Sequence, residues 1–272
     1  MHYERKLDVS RWMVYFDLLG TRSRLERDRL RAKRRFNQNR CKSPEVFDVY
    51  NKAIRQCQQT AKWTNNRLKP AWFSDSFLIL APDDSKESFK DLSRMARIFA
   101  YFLIQKRIPL QGAISCNHLY ADFNERVFFG SALVEAHEYT EKQDWIGLVL
   151  CPSAKKRFNL NRFKSPDADE ERSSYVSHNV PWKRGRRPDK APAELPACLI
   201  GNWLHVNIGS WDQVVIGNPC IPTIEGMMLR DGRNDVRIRM KYKRTLNFLK
   251  KNQCVQNRLY PVAHNAAIRK AG

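Results

Sequence analysis

Residues 11–19 are apolar throughout except for Arg11 at the start and Asp17 near the end. A run without polar alternation predicts a strand near the middle of a sheet, and Gly20-Thr21 ends it. From 22 to 40 basic residues dominate and no apolar face is wide enough to pack, which reads as a solvated helix or a loop. Ser43-Pro44 opens a predicted helix carrying Val46, Phe47, Tyr50, Ala53, Ile54 and Cys57 at helical spacing. Residues 70–73 and 77–82 flank Ser74-Asp75-Ser76, a hairpin with an acidic tip. The stretch 86–105 predicts a helix whose stripe is Phe89, Leu92, Met95, Ala96, Phe99 and Leu103. Strands follow at 110–116 and 126–129, then a helix at 132–143, a strand at 146–151 and a short basic helix after Pro152-Ser153.

This order predicts an α/β (α+β) fold, a palm-like mixed sheet with helices on one face that elaborates the ferredoxin-like βαββαβ unit. Composition shifts beyond Phe158. Residues 164–190 are polar and charged, with Pro166, Pro181 and Pro188, and read as a long loop or a partly ordered connection. The tail after Cys198 predicts scattered strands and a last helix near 237–252. The expected division is a core over 1–158 and a C-terminal extension over 159–272, packed on or beside it.

Composition narrows the chemistry. The 272 residues are 42% hydrophobic, enough for a substantial core. Forty-nine Lys and Arg against twenty-eight Asp and Glu leave a charge of +21, which favours phosphate-bearing partners without separating nucleotide, nucleic acid and anionic lipid. The longest apolar run, 98–104, is far short of the ~20 residues that span a bilayer, and the N-terminus lacks the pattern of a secretory leader, so the expected location is cytoplasmic, with no membrane partner. Seven scattered cysteines without a C-x-x-C pair argue against a disulfide framework or a zinc site.

Two carboxylates stand out. Asp17 interrupts an apolar strand and Asp75 sits on the hairpin tip. A buried acid needs a partner, and in a palm-type sheet the end of the first strand neighbours the hairpin tip, so the two acids form a candidate site for a pair of divalent cations bridging a triphosphate. The plainer alternative makes Asp17 a turn cap and Asp75 an ordinary turn residue. Between the acid and the basic stretch, Leu18, Leu19, Gly20, Thr21 and Arg22 form a candidate phosphate loop, since glycine lets backbone N–H groups approach phosphate oxygens. Arg24 adds charge there, and Lys155, Lys156 and Arg157 are a second candidate clamp, or else a solvated helix end.

Phe16-Asp17-Leu-Leu-Gly20, Phe73-Ser-Asp75-Ser, Gln111-Gly-Ala-Ile-Ser115 and the run from Val127-Phe-Phe-Gly130 to Trp145-Ile-Gly-Leu-Val resemble, in that order, the class III nucleotidyl cyclase domain over residues 9–158. Val180-Pro-Trp-Lys183, Gly201-Asn-Trp203 and Lys241-Tyr-Lys-Arg-Thr-Leu-Asn-Phe248 resemble the C-terminal extension of bacterial antiphage pyrimidine cyclases, which make cyclic UMP or cyclic CMP.

The resemblance implies a homodimer with two divalent cations per site, Mn or Mg, held by Asp17, Asp75 and the Leu18 carbonyl. Purine cyclases carry base-reading residues where this chain has Ala71 and Val127, neither of which hydrogen-bonds a base edge through its side chain. They also carry an asparagine and an arginine where this chain has Val134 and Glu138. The implied substrate is therefore a pyrimidine triphosphate, with UTP preferred to CTP although no base-specific constellation separates them. The lost transition-state arginine implies either an inactive enzyme or, as the preferred reading, another cation in that role and a product that reaches a separate cyclic-nucleotide-responsive effector. The resemblance also suggests Tyr50 as a base contact, with Arg97 and Asn117 as weaker candidates; a core tyrosine is the plainer role for Tyr50. A nucleic-acid-binding palm domain without cyclase activity is the alternative from another class. It predicts aromatics interleaved with basic residues, and 22–40 contains only Phe36.

Overall fold

The computed structural model describes residues 9–21, 67–158, 174–189, 191–200, 218 and 220–259, the last of these by backbone alone from 253, together with positions 23, 25, 26, 29, 30, 48, 49, 51–53 and 55. In chain order the elements are β1 (Val9–Leu18), β2 (Lys69–Phe73), β3 (Ser76–Leu80), α1 (Lys86–Gln105), β4 (Leu110–Asp122), β5 (Val127–Phe129), α2 (Ser131–Lys142), β6 (Gly147–Leu150), α3 (Pro152–Arg157), β7 (Tyr175–His178), β8 (Leu195–Cys198), α4 (Cys220–Asp231) and α5 (Val236–Leu259).

One sheet runs β2-β3-β1-β4-β6-β8-β7, with β5 paired to β4. β1 lies between β3 and β4, antiparallel to both, while β4 and β6 are parallel. This is the mixed, palm-like sheet that the order of apolar segments predicts.

The continuous burial of Trp12 to Phe16 has a direct cause. Side chains on a strand alternate between faces. Trp12 and Phe16 meet Phe89 and Phe99 of α1, at ring-centroid distances of 4.6 and 5.2 Å. Between them, Tyr15 points the other way and meets His137 of α2 at 5.3 Å. The two helices therefore cover opposite faces, which corrects the expectation of helices on one face; a strand covered on both sides loses polar alternation.

Three further departures concern length and connection. β4 continues to Asp122 because its far end pairs with β5, Tyr120 opposite Phe129. The polar stretch 164–190 contains β7, which pairs with β8, and β8 joins β6 through Val149 and Ala197, so chain beyond Phe158 extends the same sheet. That chain also satisfies polar groups buried on α1: Arg97 Nη1 donates to Ser174 Oγ at 2.5 Å, and Ser93 Oγ lies 2.8 Å from the Tyr175 hydroxyl. α4 packs against α1 and α5. Cys116, Cys151, Cys198 and Cys220 are buried in the core, and burial pushes Cys116 and Cys220 up to about 12, far from reactive thiolates.

Candidate active site

Across three strands, Asp17 pairs with Gln111 on β4, and Gln111 pairs with Gly147 on β6. On its other side Asp17 pairs with Ser76 of β3. Asp75 precedes Ser76 in the β2–β3 turn, which Ser74 closes with a φ of 55°, and the Leu18 N–H donates to the Asp75 carbonyl at 3.1 Å. The fold thus brings the two acids together at one end of the sheet, as their sequence positions predict.

Their charges interact. Burial pushes the Asp17 carboxyl above its ordinary range, and Asp75 pushes it further. Gln111 Nε2, which donates to Asp17 Oδ2 at 3.1 Å, opposes this rise, as do Lys183 and Lys241. Burial likewise raises the Tyr15 hydroxyl, 2.6 Å from Ser76 Oγ, with Asp17 and Asp75 adding to the effect. A half-buried Asp17 whose ionisation the neighbouring Asp75 opposes is a donor that a divalent cation stabilises, so the residues present fit one. Among the described residues no group of three His, Cys, Asp or Glu side chains could hold a metal ion, so the two acids need backbone oxygen beside them. The Leu18 carbonyl is at hand. It accepts from Thr21 Oγ1 at 2.9 Å and keeps a second lone pair.

The loop after Asp17 is only partly as expected. Gly20 has a φ of +73° and open space where a side chain would stand, a turn that suits close approach by a ligand. The Leu19 N–H, however, donates to the Pro109 carbonyl at 2.8 Å, and the Thr21 hydroxyl is turned onto Leu18. Leu19 is therefore not a phosphate donor here, because its amide already serves the backbone. Arg22, Arg24 and Tyr50 lie outside the described residues.

Other candidates fall elsewhere. β6 starts at the Asp17 row and ends at Leu150, so α3 stands at the far end of the sheet. Arg157 pairs there with Asp84 at 2.7 Å and Lys155 donates to the Glu194 carbonyl, so they form no phosphate clamp beside Asp17. Asn117 pairs with Arg11, about 20 Å along β1 from Asp17. Arg97 is buried against Ser174, within the helix layer. Ala71 pairs with Leu78 and is partly buried against the core, whereas Val127 and Val134 are exposed and Glu138 pairs with Lys142.

Sequence reading missed three contributors: Gln111, Lys183 and Lys241. Gln111 is 1% exposed, and a polar side chain in an apolar strand directly opposite an acid was the available signal. Lys183 and Lys241 lie in two of the three segments that resemble the antiphage extension, yet nothing in one dimension places them near Asp17. The Lys183 N–H donates to the Lys142 carbonyl at the end of α2, and Trp182 packs edge-on against Tyr139. Lys241 lies 3.9 Å from Asp144, which Arg244 also binds. Burial pulls Lys241 below the usual lysine range, and Lys183 adds to that fall, while Asp144 and Asp17 counter it. Leu19 and Gly20 share a cavity of about 300 Å³ with Pro109, Ile146, Tyr242 and Lys241.

No protein-family model and no curated protein matches this chain. Solved structures with similar arrangement include the catalytic core of a rhodopsin-guanylyl cyclase with converted specificity in complex with ATPalphaS (11% identity, 72% of this chain and 98% of that one, TM-score 0.45). An adenylyl cyclase from P. aeruginosa is similar at 9% identity over 70% of this chain and 93% of its own, with a TM-score of 0.43. The guanylate cyclase domain of RhGC from Catenaria anguillulae in complex with GTP gives 11%, 70%, 95% and 0.39 in the same order. Likenesses of this size carry no argument about this chain, and its chemistry is argued from its own residues. Among the described residues, no helix is long and apolar enough to cross a membrane.

Proposed function

We propose that this protein is a nucleotide cyclase that converts UTP, or second CTP, to the 3',5'-cyclic monophosphate and pyrophosphate. The observation that carries this reading is the convergence of Asp17 and Asp75 at the end of β1 and β3, where Asp75 opposes ionisation of Asp17 and the charges of Lys183 and Lys241 favour it. Two divalent cations, Mn or Mg, held by Asp17, Asp75 and the Leu18 carbonyl would lower the charge on the triphosphate and activate the ribose 3'-hydroxyl. In the reaction the O3'–Pα bond forms and the bond from Pα to the bridging oxygen of the β-phosphate breaks. Pyrophosphate leaves with that electron pair and the hydroxyl proton passes to water. The protein's part is to hold Asp17 against Gln111, to keep the acids adjacent and to set positive charge beside them.

Preference for a pyrimidine is supported by Ala71 and Val127, which offer no side-chain hydrogen bond to a base. A homodimer is supported by exposed apolar groups on two separate parts of the sheet layer: Trp72 and Phe73 on edge strand β2, at 56% and 49% exposed, and Phe129 and Val134 on β5 and α2, at 60% and 67%. By its resemblance the protein would act in the cytoplasm of a bacterial cell under phage attack, and its product would switch an effector protein. Incubating the purified protein with each of the four nucleoside triphosphates and Mn, and identifying products by mass, tests the reading. Cyclic UMP or cyclic CMP is expected. Formation of no cyclic nucleotide, or faster turnover of ATP or GTP, overturns it.

A further inference from the structure

We propose that Lys241, on α5 of the C-terminal segment, binds the triphosphate in the same chain that supplies Asp17 and stabilises the charge of departing pyrophosphate. The inference rests on the cyclase reading and adds a cation from outside the core over 1–158.

The geometry starts from the row Asp17, Gln111, Gly147. The residue before Gly147 is Ile146, whose N–H donates to Thr245 Oγ1 at 2.8 Å, with the same hydroxyl 3.0 Å from the Ile146 carbonyl. Thr245 therefore pins α5 to the strand end beside the acids. Lys241 lies one helical turn earlier on the same face, its carbonyl 3.1 Å from that hydroxyl. From there it lines the cavity that begins at Leu19 and Gly20, the turn that leaves Asp17. A cavity of about 300 Å³, walled by Leu19, Pro109, Ile146 and Tyr242 and also by Asp231, whose charge Arg230 pairs at 2.6 Å, has room for a phosphate chain or a small ring.

Charge argues the same way. Lys241 is half-buried, and its ion-pair partner Asp144 is shared with Arg244 and stands 3.9 Å away. Lys183, tied by its N–H to the end of α2, adds positive charge that Asp144 and Asp17 only partly offset at Lys241, and a bound triphosphate would neutralise both lysines. Val134 and Glu138 of α2 offer no cation of their own, so the positive charge a phosphoryl-transfer transition state needs is supplied here from α5.

The test compares Lys241→Met, Lys241→Arg and, as a control for general charge, Lys243→Met, since Lys243 is an exposed neighbour on the same helix. Two readouts are taken on the full chain: turnover of UTP with Mn, and calorimetric binding of inorganic tripolyphosphate. Lys241→Met is expected to lose roughly 100-fold in kcat/KM and to bind tripolyphosphate at least about 10-fold more weakly, with Lys241→Arg recovering part of both and Lys243→Met near wild type. If wild-type protein makes no cyclic nucleotide but binds tripolyphosphate through Lys241, the cyclase reading fails and the anion site stands. If turnover and binding survive in Lys241→Met, Lys241 is not the phosphate cation. A mixing experiment separates same-chain from cross-chain action: Asp17→Ala and Lys241→Met chains combined should gain no activity, because every mixed site lacks one of the two groups. Recovery on mixing would overturn the same-chain assignment.

Discussion

Gln111 Nε2 donates to Asp17 Oδ2 at 3.1 Å across the register pair that joins β4 to β1. The amide fixes the carboxylate from the side, and its own Oε1 is buried without a hydrogen-bond partner among the described residues. Such a side chain is costly to keep unless it positions something. Gln111→Leu, which removes both the bond and the unpartnered oxygen, should leave the melting temperature near wild type or higher. It should raise the Mn concentration needed for half-maximal turnover by about 10- to 100-fold. A Mn titration unchanged from wild type would show that Gln111 is a packing residue only.

The acids themselves are expected to bear the largest effects. Asp17→Ala and Asp75→Ala should each lower cyclic nucleotide formation by more than about 100-fold while circular dichroism stays native, since neither side chain packs in the core. Turnover at the wild-type rate by either variant would remove that carboxylate from the site.

Asp17 also makes a prediction about pH. Its folded value lies above the ordinary 3.8, so the native state holds more protons than the unfolded chain as pH rises through that window. Stability is therefore lost as pH climbs from 3.8 through the raised value. Asp17→Asn removes the cost. In chelator its melting temperature should exceed wild type at pH 7 and match it at the acid end. Adding Mn should raise the melting temperature of wild type and not of the variant. A variant melting below wild type at pH 7 in chelator would show that the ionised Asp17 does not destabilise the fold.

The dimer is tested at its exposed apolar groups. Trp72→Glu or Val134→Arg should shift the protein to a monomer by sedimentation and reduce turnover in parallel, with little change in melting temperature because both positions are solvent-facing. Mixing Asp17→Ala chains with chains disabled at the α2 face, for example at Glu138 or a neighbour, should restore part of the activity through mixed dimers. A monomer at high dilution with full turnover per chain would show that one chain completes the site.

The sequence was most legible where one physical rule decided the outcome. The stripe on α1 fell at 86–105 because its apolar positions recur with the helical period and Ser85 caps it by accepting from the Ser88 N–H. Asp17 was visible because an acid in an apolar strand demands a partner. What escaped was everything set by contacts between distant segments. The cover on both faces of β1 depends on α2 packing back onto Tyr15, and the pairing of β7 with β8 depends on a sheet edge that exists only after β6 has folded. The Leu19 amide looked available for phosphate until Pro109 was seen to accept from it. Lys241 and Asp17 are separated by most of the chain, and contacts such as Thr245 gripping Ile146 and Arg244 binding Asp144 draw their segments together.

That grip carries a consequence for how the protein is made. Residues up to Leu150 supply Asp17, Asp75 and the strand row between them, but the wall carrying Lys241 follows only with α5. On a ribosome the acids therefore emerge long before the helix that closes over them. A message cut short, or a chain clipped ahead of Lys241, yields polypeptide with its carboxylates in place and the cavity beside them unwalled. On the proposed role of Lys241, that order of arrival leaves unfinished copies without the cation the triphosphate needs.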